Sequence, residues 1–169
     1  GDPVPDLDLD GFLPSPNLWE RLAACNVEPI VVQPGDFERT ALTKALYRGA
    51  RFEGYWSADD AVNVTLDVAK VPQRLVFLYI PFVDFAAHVS GQDSDEYREA
   101  LATANRIWDR LTTSLGQDVA LIGTADHGHV DIPEADRPRI ADGVTDSGFI
   151  SEDGRVLFIH GDAAESDGN

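Results

Sequence analysis

Asp84 and His88 lie four residues apart, and Asp126 and His127 are adjacent. A carboxylate paired with an imidazole offers the oxygen and nitrogen donors that a divalent cation takes, and neutral His with Asp suits Zn²⁺ or Mn²⁺, whereas a calcium site would normally be all oxygen. On a helical turn Asp84 and His88 would share one face. The side chains of Asp126 and His127 diverge, so the pair supplies two ligands only if the backbone turns sharply there, which Gly128 permits. Each pair alone is weak. An Asp-x-x-x-His pair is common between ordinary surface neighbours, and the second motif in isolation reads more readily as Asp126 capping a turn with His127 in a buried hydrogen bond.

Position makes the two pairs stronger together than apart. The apolar run Leu75 to Ile80 reads as a buried strand stopped by Pro81, which cannot donate to a sheet ladder, and it releases Asp84 and His88 just beyond its end. A second run, Val119 to Thr124, ends in Ala125-Asp126-His127-Gly128-His129. Open α/β sheets bind ligands beyond the carboxyl ends of their strands, so both pairs could face one pocket.

The elements that must position them follow from local signals. Residues 1 to 14 alternate Asp, Pro and Leu and read as an extended linker. Ser15-Pro16-Asn17 is expected to open a helix, with Ser15 as cap, Pro16 at the first helical position and Leu18, Trp19 and Leu22 as its apolar face. Glu28 to Gln33 is a short buried strand, Pro34-Gly35 a turn, and Asp36 a cap for a helix to about Tyr47. Thr40 and Thr43 read as hydroxyls of that helix rather than as nucleophiles. Gly49 to Trp56 is an aromatic connection whose Phe52, Tyr55 and Trp56 could line a pocket but more often pack under a loop. Ser57 begins a capping-box-like helix to about Lys70, closed by Pro72.

Asp93 to Tyr97 caps the longest helix, whose apolar positions Leu101, Ala104, Trp108, Leu111 and Leu115 follow a helical period before Gly116 stops it. A strand from Asp118 to Thr124 then completes strand, long helix, strand, a unit whose strands should be parallel. Residues 131 to 146 are polar and irregular. Phe149 to Ile159, with Asp153-Gly154 at its centre, has the signature of a tight hairpin. The tail Gly161 to Asn169 reads as frayed. The fold class expected is α/β, an open and mostly parallel sheet with helices on both faces, with residues 15–160 forming part of one domain.

Composition excludes several roles. With 169 residues and 43% apolar content, the chain can bury one proper core. Thirty acidic against 13 basic residues give a net charge of −17, which argues against nucleic acid or an anionic membrane as partner. Such a surface could still attract divalent cations. No run approaches the length of a membrane span, and the N-terminus lacks the basic and apolar regions of a signal peptide. Cys25 is the only cysteine, so no internal disulfide forms, and next to Ala23 and Ala24 it is expected to be a small buried side chain. An unpaired cysteine without a signal peptide is compatible with the cytoplasm.

The stretch Tyr79-Ile-Pro-Phe-Val-Asp84-Phe-Ala-Ala-His88-Val-Ser-Gly91, followed by Ser94-Asp-Glu-Tyr97, a long helix and then Thr124-Ala-Asp126-His127-Gly128, resembles the type I phosphodiesterase/nucleotide pyrophosphatase branch of the alkaline phosphatase superfamily. The resemblance is closest over about residues 74 to 130 and looser over the preceding αβα passage. It implies an alkaline-phosphatase-like core, incomplete in this chain, and two divalent cations, Zn²⁺ foremost with Mn²⁺ or Mg²⁺ as alternatives. Asp84 and His88 would hold one cation, and Asp126 and His127 its neighbour. It also implies phosphoryl transfer on a phosphoester or nucleotide-like small molecule.

In the family, the Thr or Ser nucleophile and a further metal-binding Asp lie in a segment that should precede Gly1, and the last metal-binding His lies beyond Asn169. His160 comes too soon after the second motif to replace it. Carried over in this way, the chain is a central portion with four metal ligands and no nucleophile. His129 and Tyr79 are candidates to support those ligands or line the pocket.

Two rivals stand beside this reading. Phosphomonoesterases, sulfatases and cofactor-independent phosphoglycerate mutases of the same superfamily share much of the metal framework. A non-catalytic acidic α/β binding module would scatter the two Asp/His pairs, whereas an enzyme would bring them together. Separately, the excess of Asp over Glu and of Arg over Lys, with only Lys44 and Lys70, suits a protein kept soluble in high salt. On that reading, helical content measured by circular dichroism falls as salt is withdrawn, and a spectrum indifferent to salt would remove it.

Overall fold

The computed structural model describes residues 14–130, 132–136, 149–153 and 156–160. The expected linker over 1–14, apart from Pro14, and the tail from Gly161 lie outside the described residues. The chain divides into two compact units, Gly1–His129 and Val130–Asn169.

In the first unit three strands form a parallel sheet in the order β2-β1-β3, where β1 is Glu28–Pro34, β2 Arg51–Tyr55 and β3 Arg74–Leu78. β1 is central because it is apolar on both faces. Ile30, Val31, Val32 and Gln33 are all buried, the near-continuous pattern that parallel sheets covered on both sides require. It also accommodates two prolines. β2 takes up its register only at Ile30 and β3 gives up its own at Val32, so Pro29 and Pro34 sit at the ends of the ladders, where a missing N–H costs little.

Ile30 and Val32 face α3 (Ala58–Val68), packing with Tyr55, Ala61 and Val68. On the other face Val31 lies beside Phe77, whose ring meets Trp19 of α1 (Leu18–Ala24) at 5.7 Å and Tyr47 at 6.0 Å, just after α2 (Ala41–Leu46). The expected open sheet with helices on both faces is therefore present. α5 (Asp95–Ser114) lies across α3, where Val62, Ile107 and Leu111 form a second cluster and Arg110 binds Asp59.

Several boundaries differ from expectation, each for a local reason. Asn17, not Ser15, caps α1. Its side chain accepts from the Glu20 N–H at 3.0 Å while the Glu20 carboxylate accepts from the Asn17 N–H at 2.9 Å. Arg48 also donates to Glu20, and chiefly that hydrogen bond holds its carboxyl below the usual range. Asp36 lies in a 3₁₀ turn, Gly35–Phe37, and Thr40 caps α2 by accepting from the Thr43 N–H. Gly49 to Trp56 is not a loop: Arg51–Tyr55 within it is strand β2, whose existence depends on pairing with β1. Tyr55 is core and Trp56 is exposed. Cys25 ends α1 and is exposed, because the helix presents only Trp19 to the core.

Ser57 caps α3 as expected, although the Asp60 carboxylate reaches back to the N–H of Trp56 rather than to that of the cap. In α5 the buried residues are Ala100, Ile107 and Leu111, so the stripe is turned by about one residue and leaves Leu101 and Trp108 exposed. The segment expected as a strand over 118–124 joins no ladder. A strand needs a partner edge, and an apolar run cannot supply one. In the second unit β4 (Phe149–Asp153) and β5 (Val156–His160) form the expected antiparallel hairpin, pairing Phe149 with His160 and Asp153 with Val156.

The exit from β3 is pinned twice. The Tyr79 N–H donates to the carbonyl of Val32 at 3.0 Å, and the Tyr55 hydroxyl donates to the carbonyl of Tyr79 at 2.8 Å. Tyr55 is 2% exposed, and burial pushes its phenol far above the ordinary range. A raised phenol pKa stabilises the fold fully below the unfolded value of about 10, and that contribution is lost as pH climbs beyond it. Tyr55→Phe should therefore cost about 0.5–1.5 kcal/mol at neutral pH in urea unfolding. It should also flatten the loss of stability above pH of about 10.

Candidate metal centre

α4 (Phe82–Ser90) starts three residues after the Tyr79 carbonyl is pinned. Phe82 packs against both hydrophobic clusters, and its ring meets Tyr55 edge-on at 6.3 Å. That wedge fixes the first turn of α4. Asp84 lies in this turn, where the helix dipole favours a carboxylate. No side chain caps the helix, and Asp84 Oδ1 instead faces three imidazoles. His88, one turn on, brings Nε2 to 3.4 Å of that oxygen.

The other limb arrives from the end of α5. Leu121 packs against the Val62–Ile107–Leu111 cluster and so anchors the extended segment that leads to Asp126. His127 Nε2 then lies 3.9 Å from Asp84 Oδ1 and 3.7 Å from Asp126 Oδ2. The Asp126 carboxylate also accepts from the N–H of His127 at 3.1 Å. His127 Nδ1 lies 3.0 Å from the carbonyl of Gly128, which can only accept, so Nδ1 donates there and Nε2 is the nitrogen left to face the carboxylates. Gly128 serves through this carbonyl; its φ is not left-handed and a Cβ there would meet nothing within 4 Å.

His88 and His127 of the four expected ligands thus approach Asp84 Oδ1, and Asp126 approaches His127, though the four are not equally placed. The side chain of Asp126 is 90% exposed and that of His88 74%, against 46% for Asp84 and 29% for His127. His129, expected only to support the ligands or line the pocket, places Nε2 3.2 Å from Asp84 Oδ1. One donor atom from each of Asp84, His127 and His129 lies within 4.8 Å of the others. A signal for this exists in the sequence: residues i and i+2 of an extended segment project to the same side, and His127 and His129 do so with ring centroids 5.5 Å apart. Tyr97 was visible only as part of a helix cap, yet its hydroxyl lies 3.3 Å from His129 Nδ1. Tyr79 is a neighbour of the centre. Burial first, then the charges of Asp84 and Asp126 and the phenol of Tyr47, raise its pKa.

The donor set suits a cation. Zinc takes imidazole nitrogen and carboxylate oxygen at about 2.0–2.2 Å, which sets neighbouring tetrahedral ligands roughly 3.3–3.5 Å apart. The observed 3.2 and 3.9 Å bracket that spacing. A concavity lined by Arg51, Asn63, Lys70 and Arg74 lies elsewhere, around the starts of β2 and β3. Its cations are matched, Arg51 by Glu28 and Glu53, Lys70 by Asp67 and Arg74 by Glu28.

Compared with known families, the chain matches type I phosphodiesterase / nucleotide pyrophosphatase over residues 15–166. The chain belongs to that family. No curated protein matches it. Membership of the phosphodiesterase/nucleotide pyrophosphatase family makes the parent lineage hydrolytic and accounts for the α/β architecture with a parallel sheet. If the centre binds Zn²⁺, metal at a hundredfold excess over Kd should raise unfolding stability by about 2.7 kcal/mol. Asp84→Ala should erase that increment in the same urea titration.

Proposed function

We propose that this chain supplies the cation-holding part of a phosphodiester hydrolase acting on phosphoester or nucleotide-like small molecules. The observation that carries the reading is the convergence of donors from two distant segments, α4 and residues 126–129, on Asp84 Oδ1. A non-catalytic module has no reason to gather them, whereas family membership supplies one. Asp84, His88, Asp126 and His127 are the residues proposed to hold two divalent cations, Zn²⁺ foremost. When bound, such cations supply positive charge against the phosphoryl oxygens and lower the pKa of an attacking group.

The chain's own residues set the conditions for this. Without cations, the carboxylates of Asp84 and Asp126 would repel a phosphoester, and the net charge of −17 would add to the repulsion. Phosphoester binding is therefore proposed to be strictly cation-dependent. His127, with Nδ1 engaged by the Gly128 carbonyl, has Nε2 left to offer to a cation. The family's nucleophile is a Ser or Thr, and the two threonines considered for it are engaged otherwise. Thr40 caps α2 and donates to the Phe37 carbonyl, while Thr43 is buried at the start of the same helix. The chain by itself is thus proposed to bind but not to turn over.

Calorimetric titration of adenosine monophosphate should give binding heat with Zn²⁺ present and none after chelation, and Asp84→Ala should abolish it. No binding with Zn²⁺ present would remove the proposal. A nitrophenyl phosphodiester should be hydrolysed no faster than by the cation alone. Turnover that Asp126→Ala abolishes would show that these residues contain a nucleophile after all.

A further inference from the structure

We propose that His129 is a cation ligand through Nε2 and that Tyr97 is the residue that positions it, so that Asp84, His127 and His129 form one two-nitrogen, one-oxygen set. This rests on the reading of the centre as a divalent-cation site; it adds a donor that the two Asp/His pairs do not include, and a support for that donor.

Three independent observations converge on His129. Its side chain is only 18% exposed, less than those of His127 and His88. Both of its ring nitrogens are engaged, Nε2 facing Asp84 Oδ1 at 3.2 Å and Nδ1 facing the Tyr97 hydroxyl at 3.3 Å. Its ring stands nearly perpendicular to those of both Tyr97 and His127, at 89° and 87°. The imidazole is thus oriented from two sides, and the orientation aims Nε2 at the carboxylate oxygen that the other two imidazoles also face.

The identity of the partner on Nδ1 decides what His129 can do. A backbone carbonyl, as on His127, holds the proton on Nδ1 permanently. A phenol both donates and accepts. The Tyr97 hydroxyl can therefore hold the ring whichever nitrogen bears the proton, and Nε2 would be able to offer its lone pair to a cation without Nδ1 losing its partner. Tyr97 itself is rigidly placed. It lies in the first turn of α5, its N–H donating to the Ser94 hydroxyl at 3.1 Å, and α5 is fixed to α3 by the Val62 cluster.

X-ray absorption of the Zn²⁺-loaded chain counts imidazoles around the metal directly, and competition with a chromophoric chelator gives the affinity. In His129→Ala the count should fall by one and the affinity by more than the roughly 10–100-fold that loss of a supporting hydrogen bond costs. Free imidazole added to that variant should restore both in part. Tyr97→Phe should keep the imidazole count and weaken Zn²⁺ by about 10–100-fold, and this variant carries the test if His129→Ala fails to fold by circular dichroism. Wild-type count and affinity in His129→Ala, with loss in Asp84→Ala, would overturn this proposal while leaving the centre itself intact. A wild-type chain that takes up no Zn²⁺ would overturn both.

Discussion

The larger unit depends on the two ladders of β1. Bonded to β2 on one edge and β3 on the other, and buried on both faces, this strand fixes the relation between α3 on one side and the Trp19, Tyr47 and Phe77 rings on the other. Because β1 and β3 run parallel, their carboxyl ends reach the same edge. There the Val32 and Tyr79 carbonyls receive the two hydrogen bonds that set where α4 begins. The position of Asp84 is thus a consequence of strand register, carried to the helix by Phe82.

Around Asp84 the electrostatics differ from the rest of the surface. Several acids elsewhere are met by guanidinium groups: Glu20 by Arg48, Glu28 by Arg51 and Arg74, Asp59 by Arg110, and Asp95 by Arg98. Asp84 meets imidazoles instead. A guanidinium satisfies a carboxylate permanently and offers no lone pair, whereas a neutral imidazole can both donate to the carboxylate and turn a lone pair toward a cation. In a chain with 13 Arg and Lys against 30 acidic residues, Asp84 is surrounded by three histidines rather than by a guanidinium group.

What could be read from the sequence was what neighbouring residues decide. The β1 run, the Ser57 and Ser94 caps and the β4–β5 hairpin are written locally and formed as expected, whereas β3 ends at Leu78, short of the expected Ile80, and is only half-buried rather than buried. β2 was hidden because Arg51-Phe-Glu-Gly-Tyr55 has no apolar run of its own and is a strand only by virtue of β1. The stripe of α5 was misplaced because periodicity cannot choose between two overlapping faces. The neighbours chose Ala100, Ile107 and Leu111 over the bulkier Leu101 and Trp108. At the centre, the Asp/His pairs were legible because they follow apolar runs. His129 was underrated because its value depends on the segment being extended, and Tyr97 because it lies 32 residues before His129 in the chain.

The two limbs of the centre are unequal in one further respect. α4 carries its own helical hydrogen bonds and packs on α5, whereas residues 119–129 join no ladder and are held by side-chain contacts, Leu121 on the Val62 cluster and His129 on Tyr97 and Asp84. Backbone outside a ladder opens at lower free energy than the sheet beside it. A cation gripping both limbs would have to hold the second in place, and the entropy of doing so is subtracted from its affinity. The tightness of any such grip would be adjustable through contacts that order residues 119–129 without touching the donors.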